Sequence, residues 1–316
     1  MAGTACQPAT QNVRAPVAAS PAPAVDSLAA AHIAQLTQYP APTRFTAADT
    51  LTQPQLALLG QYDLSKLWCS ADRPQEPTLE GFFGPDHYRF TLVLLQARRD
   101  ARQPDVYAVQ GKYRFHKMVQ PFAGTLTIRR VRAIEAPNAP DMSELLRPRE
   151  LAALRRKHPG KDPGPPPCYQ LVAQLQLTET GLGPPGTLEG EAWLACYLAP
   201  HRASGYVMAA GDISPGWNSS LMLRGTHRNG ATAQTNSFTV ADNVFIIAPA
   251  IYRDFVQGER TPEMNPKYNK LGWDTYWEND EWWAEPTRRH ANALSLHLRW
   301  IPFDLPVVEP DSSHSL

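Results

Sequence analysis

From Leu79 onward, apolar and polar residues alternate along the chain with a period of two. In Tyr169-Gln-Leu-Val-Ala-Gln-Leu-Gln-Leu177 the odd positions are apolar and the even ones mostly polar, the pattern of a strand with one wet face. Leu294, Leu296, Leu298 and Trp300 alternate with Ser295, His297 and Arg299 in the same way. Less regular strands are read at 88–98, 105–117, 122–132, 187–198, 205–210 and 219–227, which with these two makes at least eight. The links Arg99–Asp105, Gly181–Gly186 and Ser214–Gly216 are short and carry turn residues. Short links require antiparallel neighbours, because a parallel crossover takes about a dozen residues or more.

Helical spacing occurs elsewhere. Helices are expected at about 26–37, capped by Asp26, and at about 53–60, where Pro54 suits the first turn after Thr52. These helices are expected to sit on the edge of the β-domain. An inserted helix is expected near 141–158. Asp141 and Glu144 are spaced as a capping box, and Leu145, Leu146, Leu151 and Leu154 lie near one side. Arg147, Arg149, Arg155, Arg156 and Lys157 make the other side basic, either a solvated face or a docking surface for an acidic partner. The fold class expected is mainly β: an antiparallel meander closing into a lipocalin-like barrel or a two-layer sandwich, with short N-terminal helices and one inserted helix. The segment Thr78-Leu-Glu-Gly81 is repeated as Thr187-Leu-Glu-Gly190, each opening a strand, and the glycine suits a bulge or sharp bend of a closing sheet.

Composition sets boundaries. Residues 1–25 read as a disordered Ala/Pro-rich tail, 26–77 as a helical or irregular lead-in, 78–303 as the β-rich domain and 304–316 as a second tail. Of 316 residues, 31 are proline, roughly twice the usual share, clustered in the tail and in connections. Thirty basic residues balance thirty acidic ones, so no global field attracts nucleic acid or an anionic membrane. No run of about 18 apolar residues is present to form a transmembrane helix.

Gly3-Thr4-Ala5-Cys6 precedes the Ala/Pro-rich tail and resembles the processing site of a bacterial lipoprotein, with Cys6 as the lipidated residue. Only five residues precede Cys6, without the basic start and apolar stretch of a signal peptide; a disordered cytoplasmic tail with an incidental cysteine is the alternative. LEGFFG (79–84), GKYRF (111–115), PFAGTLTI (121–128) and MNPKYNKLGW (264–273) resemble segments of uncharacterised exported, lipoprotein-like β-rich proteins of Bacteroidota. That resemblance implies a bacterial envelope location, periplasmic or anchored at the outer membrane, and carries no activity and no site residue. Among the four cysteines, Cys196 reads as a buried thiol, and a Cys69–Cys168 disulfide is conceivable in an oxidising compartment.

The densest chemistry lies in the segment 273–285. It holds Trp273, Trp277, Trp282 and Trp283 with Asp274, Glu278, Asp280, Glu281 and Glu285. Indole faces beside carboxylates can recognise sugars or cationic groups, so Trp273, Trp277, Glu278, Asp280, Glu281, Trp282 and Trp283 are the candidate ligand-binding residues. Equally, the aromatics can staple a loop to the mouth of the sheet while the acids face water. No cofactor motif is recognised: zinc spacing, HExxH, a calcium loop, a phosphate loop and a G-x-S-x-G elbow are all missing from the chain. His87, His116, His227 and His297 stand singly on or beside strands. Three functions follow as expectations: a non-enzymatic envelope protein binding an apolar molecule or a glycan at the open end of the β-domain; a glycoside hydrolase-like enzyme using acids of the Trp-rich loop; or a structural, partner-binding envelope component.

Overall fold

The computed structural model describes residues 44–72, 78–134, 148–157, 159–160, 167–199, 206–209, 212–214, 217–218, 220–244, 247, 256–257, 263–276 and 282–283. Cys6, the helix expected at 26–37, the capping-box residues Asp141 and Glu144, and the strand expected at 294–300 lie outside the described residues.

Two helices lead in, α1 (Gln53–Gln61) and α2 (Ser65–Trp68). Strands β1 (Leu79–Phe83), β2 (Tyr88–Arg99), β3 (Val106–Phe115) and β4 (Met118–Ile134) follow as hairpins. Helix α3 (Pro148–Lys157) interrupts the meander before β5 (Cys168–Glu179) and β6 (Thr187–Ala199). After the short β7 (Tyr206–Ala209), β8 (Asp212–Ser214) and β9 (Trp217–Asn218) come β10 (Leu221–Arg228) and β11 (Thr235–Ala241). Every pairing in the main sheet is antiparallel. Strand β11 pairs with both β10 and β1, and β10 also pairs with β6, so an eight-stranded sheet closes in a ring. The sequence pattern anticipates seven of these strands; β11 is the one it misses, and it is the strand that completes the closure.

The alternation behaves as the period of two requires. Leu171, Ala173, Leu175 and Leu177 of β5 point into the ring with Leu188, Ala192 and Leu194 of β6, in a single buried core. Bulges between Leu94 and Gln96 in β2 and between Ile128 and Arg130 in β4 let these long strands coil around it. The repeated Thr-Leu-Glu-Gly segments occupy equivalent places beside the β10–β11 hairpin, β1 on β11 and β6 on β10. A Cβ at Gly81 would lie 1.9 Å from the Thr239 carbonyl oxygen, and one at Gly190 would lie 2.1 Å from that of Arg224. Glycine therefore permits the tight approach that closure demands.

One end of the ring is plugged by the helices. Leu59, Leu64 and Trp68 are fully buried, with Trp68 6.2 Å from the Tyr107 ring. Gln55 accepts hydrogen bonds from the Thr52 amide and hydroxyl at 2.9 and 3.1 Å, fastening the start of α1. At its other end Arg99 of β2 donates to the carbonyls of Leu59 and Tyr62 at 3.3 and 2.8 Å, a cation placed where the helix dipole is negative. In α3 the basic residues Arg149, Arg155, Arg156 and Lys157 are exposed. The conceivable Cys69–Cys168 disulfide is corrected. Both residues are buried thiols, as is Cys196, because the Cys69 thiol is turned toward the β2 carbonyls of Leu94 and Leu95, at 3.4 and 3.1 Å.

Candidate functional site

The segment before the tryptophan cluster forms a 3-10 helix, Pro266–Leu271, capped by Asn265, whose side chain accepts from the Lys267 amide at 3.2 Å. Gly272 ends it at φ +84°, a left-handed turn that glycine adopts without strain. The chain then lies across the outer face of β1 and β2. Trp273 is fully buried there, 5.3 Å from Phe82 and 5.7 Å from Tyr276.

Arg89 of β2 is the anchor. It makes a two-pronged pair with Glu80 of β1, Nε to Oε2 at 2.9 Å and Nη2 to Oε1 at 3.0 Å. Its Nη1 donates to Thr275 Oγ1 at 2.9 Å and to the Gly272 carbonyl at 3.4 Å. Its guanidinium sits 5.7 Å from the Trp273 ring centre and 5.5 Å from that of Tyr276. A buried cation matched by a carboxylate, a hydroxyl and two ring faces is well compensated.

Trp282 and Trp283 meet at 86° with centres 5.7 Å apart. The Arg114 guanidinium of β3 lies 5.3 Å from the Trp282 ring centre, and Lys112 donates to the Trp283 carbonyl at 2.9 Å. Between this segment and the outer faces of β2, β3 and the start of β4 runs a cleft of about 400 Å³. Tyr88, Thr91, Arg114, Lys117, Asp274 and Trp282 line it, together with Arg89, His116, Val119, Gly272 and Thr275. Tyr88 and His116 have ring centres 3.9 Å apart, their planes tilted by 36°. Burial pushes the His116 pKa down, favouring its neutral form, and raises that of Tyr88, with Asp274 adding to the rise. Thr91 is almost wholly buried, and its hydroxyl has no hydrogen-bond partner among the described residues.

Of the residues expected to bind ligand, Trp282 lines the cleft, Trp273 is packed into the sheet, and Trp283 braces the segment through its backbone. Trp277, Glu278, Asp280 and Glu281 lie outside the described residues. Sequence reasoning did not single out Tyr88, Thr91, Arg114 and Lys117 as site residues. Arg89, Thr91 and Arg114 carry a legible sign, a polar residue at an outward strand position, but where the later segment lands on those strands is not encoded locally. Among the described residues no group of three or more His, Cys, Asp or Glu side chains could hold a metal ion. Among them, too, no helix is long and apolar enough to cross a membrane.

Fold and cleft together define a mainly β protein with a closed sheet and an aromatic, polar groove on its outer wall. Compared with known proteins, the chain matches no family model, no curated protein and no solved structure.

Proposed function

We propose that the protein is a non-enzymatic binding protein that takes a glycan in the cleft beneath the tryptophan segment. The observation that carries this reading is one cleft of about 400 Å³ walled by the rings of Tyr88, His116 and Trp282 together with polar side chains. Trp282, Tyr88 and His116 offer ring surfaces for the C–H faces of a sugar, and Asp274 offers an acceptor for its hydroxyls. That volume falls within the usual ligand range of roughly 300–1,000 Å³. An apolar guest inside the ring has less support, since large side chains such as Tyr107, Phe90 and Phe122 occupy the described interior.

Glycoside hydrolysis calls for two carboxyl groups flanking the scissile bond. Among the described residues the cleft wall supplies one carboxylate, Asp274, and Glu278, Asp280 and Glu281 lie outside them. Titration of the full chain with a saccharide panel, followed by Trp fluorescence and calorimetry, tests the proposal. Saturable binding weakened by Trp282→Ala is the expected result; a panel without any binder disposes of it.

An envelope location and a lipid on Cys6 belong to the same proposal. They are supported by Gly3-Thr4-Ala5-Cys6 and by the Bacteroidota resemblance. Intact-mass analysis of natively expressed protein should find Cys6 diacylglyceryl-modified, and an unmodified Cys6 behind intact upstream residues would remove this part.

A further inference from the structure

We infer that the hairpin end of the ring inserts into the interface of a phospholipid bilayer, with Met118, Val119 and Leu182 as the side chains that enter it and Lys117 at headgroup level. This contact is separate from glycan binding, although Val119 and Lys117 also line the cleft. Single exposed apolar side chains are ordinary on a protein surface, whereas clustered ones mark contact sites. Among the described residues the large apolar side chains left exposed are Met118, Val119 and Leu182, at 68, 39 and 106 %. All three stand at the same end of the ring.

Met118 and Val119 open β4 just past the β3–β4 turn, and Leu182 lies in the β5–β6 turn. The two turns are neighbours. The Thr180 amide donates to the Pro121 carbonyl at 2.9 Å, and a Cβ on Gly181 would lie 2.5 Å from the Gln120 side chain. Leu182, flanked by Gly181 and Gly183, therefore projects beside the strand start that carries Met118 and Val119.

Charge singles out the occupant. The four turns at this end, 84–87, 116–117, 180–186 and 229–234, contain two charged residues, Asp86 and Lys117. At the helix-plugged end the β2–β3 turn by itself contains Asp100, Arg102 and Asp105. The ring thus has a charged end and a nearly uncharged one, the polarity of a body seated on an apolar boundary. Asp86 lies in the β1–β2 turn, on the far side of the β3–β4 turn from Leu182, so it stays in water while the other two turns enter. Lys117 directly precedes Met118 and is exposed; its ammonium can meet lipid phosphates while its stem lies along apolar chains. A protein partner fits less well. Three side chains on two projecting turns cannot furnish the about 800 Å² per partner of a stable protein interface, whereas a bilayer interface takes protruding side chains singly, each gaining from its own buried area.

The experiment is co-sedimentation of the full chain with vesicles of phosphatidylcholine, alone or mixed with phosphatidylglycerol. Cys6→Ser serves as the parent, so that no attached lipid contributes, and the vesicles carry no sugar, so the outcome does not depend on the glycan reading. The parent is expected to sediment with both vesicles. Leu182→Asp and Met118→Asp should each lower its partitioning about tenfold or more, at an unchanged unfolding temperature because both side chains are exposed. Lys117→Gln should weaken binding to the phosphatidylglycerol vesicles about fivefold and leave the phosphatidylcholine vesicles unaffected. A parent that stays in the supernatant with both vesicles overturns the inference. Aspartate variants that bind as the parent does also overturn it, placing any contact elsewhere. Self-association of the parent in sedimentation velocity, lost in the aspartate variants and unaccompanied by vesicle binding, overturns it in favour of an interface between copies of this chain.

Discussion

Glu179 shows how single residues hold the hairpin end of the ring. Its Oε1 accepts from the Tyr113 hydroxyl and from His227 Nε2, the latter at 2.8 Å, while Oε2 accepts from the Gly186 amide at 2.9 Å. One carboxylate thus ties β3, β5, β10 and the β5–β6 turn together. Burial opposes its charge, but the three donors outweigh burial and hold its pKa below the ordinary carboxylate value. Burial and the same carboxylate push the Tyr113 pKa well up. Glu179→Gln should cost about 1–3 kcal/mol, the scale of disturbing a buried charge-assisted network, read from denaturant unfolding at pH 7. The sign of the pH effect follows from the depressed pKa. The carboxylate's contribution is present above its unfolded value, near 4.3, and is lost as pH falls through the lower folded value. Thermal midpoints of the parent should drop across that acidic window more steeply than those of Glu179→Gln; parallel curves would refute the assignment. The three buried thiols make a second test at this scale. Burial pushes the Cys196 thiol far up, so it should resist alkylation in the native protein and react fully in denaturant, as counted by mass spectrometry.

At the scale of elements, two glycines separate local propensity from closure. Gly60 lies in α1, and a methyl group added there would meet nothing within 4 Å. Gly60→Ala should therefore stabilise by about 0.5–1 kcal/mol, the ordinary helix gain. Gly81 lies on β1, where the same change would drive a Cβ to 1.9 Å from the Thr239 carbonyl oxygen. Gly81→Ala should destabilise by about 2 kcal/mol or more, through forced displacement of β11. Opposite signs in paired urea titrations are the expected result. Helix α1 and most strands were legible because their signals are local: Thr52 and Pro54 for α1, the apolar alternation for β5, the turn residues for the β2–β3 link, where Asp100 accepts from the amides of Arg102 and Gln103 at 2.7 and 3.0 Å; the one-turn α2 was not singled out. Strand β11 was missed although Phe238 and Val240 point into the core and Ser237 and Thr239 alternate with them. Two inward apolar residues make a short pattern, and β11 derives its stability from two neighbours rather than from its own composition.

For the molecule as a whole, ring closure depends on the most distant pairing in the sheet, Glu80 opposite Ala241 and Phe83 opposite Phe238. Sequential hairpins can form early, but the β1–β11 seam must wait until the intervening chain is ordered. Refolding should accordingly fall in the millisecond-to-second range typical of non-local β proteins; a fully microsecond phase in stopped-flow and temperature-jump measurements would contradict this account. Phe238→Ala, which empties a core position on the seam, should cost about 3–5 kcal/mol.

The sequence by itself determined that the chain is mainly β, that its strands run antiparallel, and where α1 and most turns begin, since each depends on residues a few positions apart. It also marked the tryptophan segment as unusual. Only the tertiary structure decided that the sheet closes, that β11 is the closing strand, and that this segment meets β2 and β3 on the outer wall. It likewise separated Trp273, packed against Phe82, from Trp282, which faces a cleft. Those outcomes depend on contacts between residues far apart in the chain. A period of two tells which side chains share a face, and it is blind to what will cover that face.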